Sequence, residues 1–83
     1  MSETVHVGQL IAEWCAETDM TQAELAQRAG YSRSLINLVI HARKPLPLAG
    51  CIKIAEATGL SVSLLWMTQA RWQLDVALGK VSP

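Results

Sequence analysis

The chain has 83 residues, 51% of them apolar and 17% charged, with seven basic and seven acidic side chains. That length suits one core burying roughly 60–65% of the surface of the unfolded chain. Residues 1–83 therefore read as a single domain, and the balanced charge advertises no general affinity for polyanions.

No stretch reaches about eighteen consecutive apolar residues, which excludes a transmembrane helix. Met1-Ser2-Glu3-Thr4 lacks the basic start and apolar run of a signal peptide, so a cytoplasmic protein is expected. Cys15 and Cys51 are too few for a disulfide framework, and each lies in an apolar helical pattern, as a buried thiol would. A short chain whose histidines are His6 and His41 also argues against an enzyme with a deep cavity.

The net charge of zero hides a strong segregation. Residues 1–27 carry Glu3, Glu13, Glu17, Asp19 and Glu24 and no Lys or Arg. Residues 28–53 carry Arg28, Arg33, Arg43, Lys44 and Lys53 and no Asp or Glu, so the chain runs −5, then +5, then neutral. A basic segment inside a neutral domain is the footprint of a local polyanion site, unless the two segments merely attract each other in the fold.

Every periodic stretch is helical. A first helix is predicted from about Gly8, with Leu10, Ile11, Trp14, Cys15 and Thr18 on one face and Glu13 and Glu17 on the other. Trp14 reads as a core anchor rather than a ligand-stacking residue. Thr21-Gln22-Ala23-Glu24 is a capping box, with Met20 and Leu25 as its hydrophobic staple, and Gly30 ends the second helix. Ser32 caps a third helix whose core face is Ile36, Val39 and Ile40 and whose outer face is Ser34, Asn37, Leu38 and His41. Two helices coupled through a glycine turn form the helix-turn-helix arrangement, over about residues 21–41. After the loop Ala42-Arg43-Lys44-Pro45-Leu46-Pro47, a weakly capped fourth helix runs from about Leu48 to Thr58, with Ile52, Ile54 and Ala55 inward. Ser61 caps a fifth, from Val62 to about Leu78, which is apolar on more than one side. That surplus predicts a dimer or partner interface, with Trp66, Gln69 and Trp72 as its candidate residues. The fold class is all-α, with five helices.

The segment from Thr21 to Ile36 resembles the Cro/repressor type (XRE-type) of helix-turn-helix. Ala26 stands where the helices cross, Gly30 at the turn, and Leu25, Ile36 and Val39 at buried positions. A narrower similarity joins most of the chain to the HigA antitoxins: His6-Val7-Gly8-Gln9-Leu10-Ile11 at the opening, then Ser61 to Gln69 and Ala70-Arg71-Trp72-Gln73-Leu74. Trp66 stands one residue late against that pattern, Pro47-Leu48-Ala49 replaces its helix cap, and Gln9 replaces its usual Glu. The resemblance implies a dimeric repressor of its own operon that also neutralises an mRNA-cleaving toxin.

A recognition helix lies in the major groove with its first residues against base edges. Arg33 is the best candidate for bidentate readout of guanine, its alternatives being a phosphate contact or a pair with Glu24. Ser32, Ser34 and Asn37 join it as candidate DNA contacts, and Leu38 suits a thymine methyl unless it is an extra core residue. Gln22, at the start of the second helix, is placed for a phosphate, a role the resemblance also implies. Arg43 and Lys44 are expected to hold the backbone, while Lys53 reads as a solvated side chain. Glu13 and Glu17 form an acidic surface that suits a cationic toxin nuclease, or simply serves the helix dipole and solubility. Cys15, Cys51, His6 and His41 form no metal-binding spacing, and no phosphate loop or nucleophile motif is present, so neither a metal, a cofactor nor an enzyme is expected. The expected partners are double-stranded DNA with an inverted-repeat operator, a second copy of the chain, and a toxin; the alternatives are a free-standing phage- or plasmid-type regulator, or an interaction module without DNA binding.

Overall fold

The computed structural model describes residues 5–81, which form five helices. They are α1 (Val7–Thr18), α2 (Gln22–Ala29), α3 (Arg33–Ile40), α4 (Leu48–Thr58) and α5 (Val62–Ala77). The capping chemistry explains most boundaries. Thr21, Ser32 and Ser61 accept hydrogen bonds from the backbone N–H of Glu24, Leu35 and Leu64 at 3.1, 3.1 and 3.2 Å. Each satisfies an amide that the first helical turn leaves without a partner. Gly30 takes a left-handed φ of 75°, and Tyr31 N–H then closes back on the Ala26 carbonyl at 2.8 Å. This ends α2 and lets α3 start two residues later.

α1 packs on α3 and α5, α2 on α3 and α4, and α4 on α5. One core results, with Ile11, Leu25, Ile36, Val39, Leu46, Cys51, Ile54 and Leu65 almost wholly buried. Trp14 and Met20 are half-buried and pack against it, in the roles the sequence suggests. Both cysteines are buried free thiols, and burial pushes their pKa up, which keeps them protonated and unreactive.

The details differ from expectation in four places. α1 starts one residue early, at Val7, with His6 as a cap that donates no side-chain help. Thr18 is exposed, its hydroxyl donating to the Trp14 carbonyl at 2.8 Å instead of facing the core. Ile52 points outward, because Cys51, Ile54 and Ala55 already define the inner face of α4 and Ile52 lies off it. The fourth difference is Gln69, expected on the surface but only 4% exposed. Leu46 N–H donates to its Oε1, and its Nε2 donates to the Leu46 carbonyl. The amide thus acts as a clamp holding the α3–α4 loop against α5.

Candidate nucleic-acid interface

α3 is held from both sides, by α1 and by α2, and its outer face is left free. Arg33, Ser34, Asn37 and Leu38 line one shallow, open depression there. The spacing of one, three and four residues places them on adjoining turns of the same face. Arg33 is the first residue of the helix, where a cation opposes the helix dipole. Among the described residues the one ion pair is Arg71–Asp75, so Arg33 is not partnered by Glu24. An exposed cation placed against the dipole, with no carboxylate to compensate, is poised for an external anion or base edge.

Leu38 is 39% exposed, which leaves its side chain available beside Arg33 rather than in the core. Asn37 Nδ2 donates to Gln22 Oε1 at 3.4 Å, tying the start of α2 to the outer face of α3. Ser32 is spent differently: its oxygen caps α3, leaving its hydroxyl proton as the free donor. At the other end of α3, Ala42 adopts a left-handed φ of 57°, unusual for a residue with a side chain. That bend throws Arg43 and Lys44 outward, both exposed, just past the helix. The face is therefore bracketed by Gln22 at one edge and two cations at the other.

Some side chains do not join this face. Lys53 sits 5.0 Å above the Tyr31 ring, a cation–π contact where the sequence suggests mere solvation. Glu13 and Glu17 are exposed on α1, and Gln9 Nε2 donates to Glu13 Oε1 at 3.5 Å. Gln69 is unavailable to a second copy, being closed inside its own protomer. Trp72 is half-buried and meets His6 edge-on, with ring centroids 5.3 Å apart. Trp66 remains exposed. The apolar surplus on α5 instead forms a seam that residue type alone does not advertise. Leu64, Met67, Leu74 and the capping Leu78 are all exposed, and Arg71 completes a three–four spacing between them. A helical-wheel count anchored on buried Leu65 and Gln69 would have found it.

Among the described residues, no cluster of His, Cys, Asp and Glu could hold a metal ion, and no helix is long and apolar enough to cross a membrane. No curated protein matches the sequence. Among solved structures, the chain is similar to one described as Pseudomonas aeruginosa antitoxin HigA with higBA promoter. The TM-score is 0.85 and the identity 19%, over 93% of this chain and 85% of that one. At that identity the likeness is one of fold. The family model for Helix-turn-helix matches residues 11–65, which span α3 and its supports as far as the start of α5. With its match across most of the chain, and with capped α2, glycine turn and exposed α3 in place, the chain belongs to the helix-turn-helix family of DNA-binding regulators.

Proposed function

We propose that the chain is a sequence-specific transcriptional repressor that reads an inverted repeat as a dimer. The observation that carries this reading is the exposed α3 face, with Arg33, Ser34, Asn37 and Leu38 together and Arg43 and Lys44 beyond them. Arg33 supplies base readout, Asn37 and Leu38 extend it, and Gln22, Arg43 and Lys44 hold phosphates. Arg33→Ala should cost about 1–3 kcal/mol on the cognate duplex and relax preference at one base position. Lys44→Ala should weaken all sequences alike and lower the slope of affinity against salt by about one. Binding to duplexes from the gene's own upstream region, titrated against random duplex, checks both; equal affinity for the two would sink the repressor reading.

One recognition helix covers few base pairs, and two held about 34 Å apart cover a useful operator. The seam of Leu64, Met67, Leu74 and Leu78 on α5 supports such a pairing, with Met67 and Leu74 67% and 53% exposed in the isolated chain. An alternating three–four spacing is the pattern by which two helices interlock. Leu74→Glu would place a charge in that seam and should give a monomer of 9.0 kDa in sedimentation at micromolar concentration, where the parent runs at twice that mass.

The finer reading is an antitoxin that represses its own operon and neutralises an mRNA-cleaving nuclease. It draws support from the resemblance of the His6–Ile11 opening, and from a fold shared with an antitoxin solved with its promoter. The exposed carboxylates of Glu13 and Glu17 suit the cationic groove of such a nuclease, speeding encounter more than setting affinity. Reversing both to Lys should slow capture of a toxin encoded beside this gene at low salt and leave duplex binding unchanged. Stopped-flow capture rates decide it, and equal rates would move the toxin site elsewhere.

A further inference from the structure

Behind the α3 face lies a cavity of about 230 Å³. Val7, Val39, Ala42, Trp72 and Val76 supply apolar walls, and Arg43 and Lys44 stand at its lining with no carboxylate among them. The cavity stays open for identifiable reasons. The Gln69 clamp fixes the loop to α5 at Leu46, and the left-handed Ala42 turns the chain away from α3 just before it, so the space between these two fixed points stays open. A backbone held in a sparsely populated region at a cavity wall points from strain toward function. His6 adds no competing positive charge, since burial and then the charge of His41 hold its pKa below the ordinary value.

From this geometry we infer that the cavity is an effector site for a small carboxylate with an aromatic or branched apolar body. The body packs against Trp72, Val39 and Val76, and the carboxylate pairs with Arg43 and Lys44. The volume falls below the roughly 300–1,000 Å³ of drug-sized sites, which favours a molecule of about a dozen non-hydrogen atoms. Because Arg43 and Lys44 are also the cations proposed to hold DNA phosphates, ligand and duplex compete for them. Linkage makes the effect reciprocal: bound carboxylate weakens duplex binding by the factor by which duplex weakens the carboxylate. The effector is thus an inducer.

The test is titration of the full chain with 4-phenylbutyrate, and separately with its neutral isostere 4-phenylbutan-1-ol, followed by backbone and indole NMR shifts. The acid should give saturable shifts at Val39, Ala42, Trp72 and Val76, with Kd on the order of 0.1–1 mM for a ligand of this size. The alcohol should bind about tenfold more weakly, the loss of one charge-assisted contact. Val76→Trp fills the cavity and should abolish both; Arg43→Ala with Lys44→Ala should instead bring the acid down to the alcohol. The double variant leaves the core untouched, so it decides the matter even if the tryptophan variant does not fold. No saturation by the acid, shifts that map elsewhere, or equal affinity for acid and alcohol would each overturn the site. These arms need no DNA. Inducer action rests on the repressor reading: saturating acid should weaken the upstream duplex severalfold in the parent and not in the Val76→Trp chain. An unchanged duplex affinity at saturation would overturn the inducer role while leaving the site.

Discussion

Replacing Gln69 with alanine should lower the stability of the fold by about 2–5 kcal/mol, among the larger effects a single side chain can have here. The reason lies in the loop that it holds. Leu46 is 1% exposed and flanked by Pro45 and Pro47, neither of which carries an N–H. Its own N–H and carbonyl are therefore buried in a segment with no helical ladder, and Gln69 satisfies both. Alanine would leave a donor and an acceptor without partners at about 1–3 kcal/mol each. For a domain of this size that corresponds to a fall in Tm of roughly 10–30 °C. Gln69→Glu separates this mechanism from simple packing, since its shape is nearly unchanged. Its carboxylate can accept from Leu46 N–H but faces the Leu46 carbonyl with like partial charge. Burial and that carbonyl would raise the carboxyl's folded pKa above its unfolded value of about 4.3. The folded state then holds its proton more tightly, so the stability present below the unfolded pKa is lost as pH rises through the folded one. Thermal melts across pH should show Gln69→Glu gaining on the parent in acid; a pH-independent difference would refute the clamp. Both variants should also weaken duplex binding, because the loop carrying Arg43 and Lys44 would lose its anchor.

What was legible in the sequence follows from how far each signal reaches. The caps at Thr21, Ser32 and Ser61 and the stop at Gly30 join residues three to five apart, so neighbouring letters contain the whole interaction. The candidate face shares this property: Arg33, Ser34, Asn37 and Leu38 lie within two turns, and helical spacing alone gathers them. The Gln69–Leu46 clamp spans 23 residues and leaves no spacing to recognise. It does leave a different trace. Leu65, Gln69, Trp72 and Val76 lie on one face of α5, so Gln69 interrupts an apolar stripe. A buried amide must find both a donor and an acceptor, and Pro-Leu-Pro is the segment of the chain whose central residue lacks them. Ile52 is hidden in the same way: its apolar character suits the core, but Cys51, Ile54 and Ala55 take the inner face of α4 and leave it outside. Trp66 and Trp72 are the largest apolar side chains of α5, whereas its exposed seam is made of Leu and Met.

Gly8 hides its role most completely, because an opening glycine reads as a helix start. In the fold it is the point where α1 crosses α3. A Cβ at Gly8 would stand 2.2 Å from the Val39 carbonyl oxygen, 2.6 Å from Ile40 Cα and 2.7 Å from the Ile40 carbonyl oxygen. All three are backbone atoms, so no side-chain rotation relieves the clash, and the helices must separate. Gly8→Ala should therefore cost about 3 kcal/mol or more, against a gain in helix propensity of about 1 kcal/mol. Gly30→Ala provides the contrast. Nothing lies near a Cβ there, but φ is 75°, so its penalty is conformational, about 1–2 kcal/mol. The two variants should differ in function as well as stability. Forcing α1 from the end of α3 displaces the recognition face and the Ala42 bend that sets Arg43 and Lys44. At a temperature where each variant is still folded, Gly8→Ala should bind the upstream duplex less tightly than Gly30→Ala. Urea unfolding followed by duplex titration at matched folded fraction makes the comparison. A Gly8→Ala protein as stable as the parent would mean that α1 and α3 do not meet at this distance, and the placement of the recognition helix would have to be drawn again.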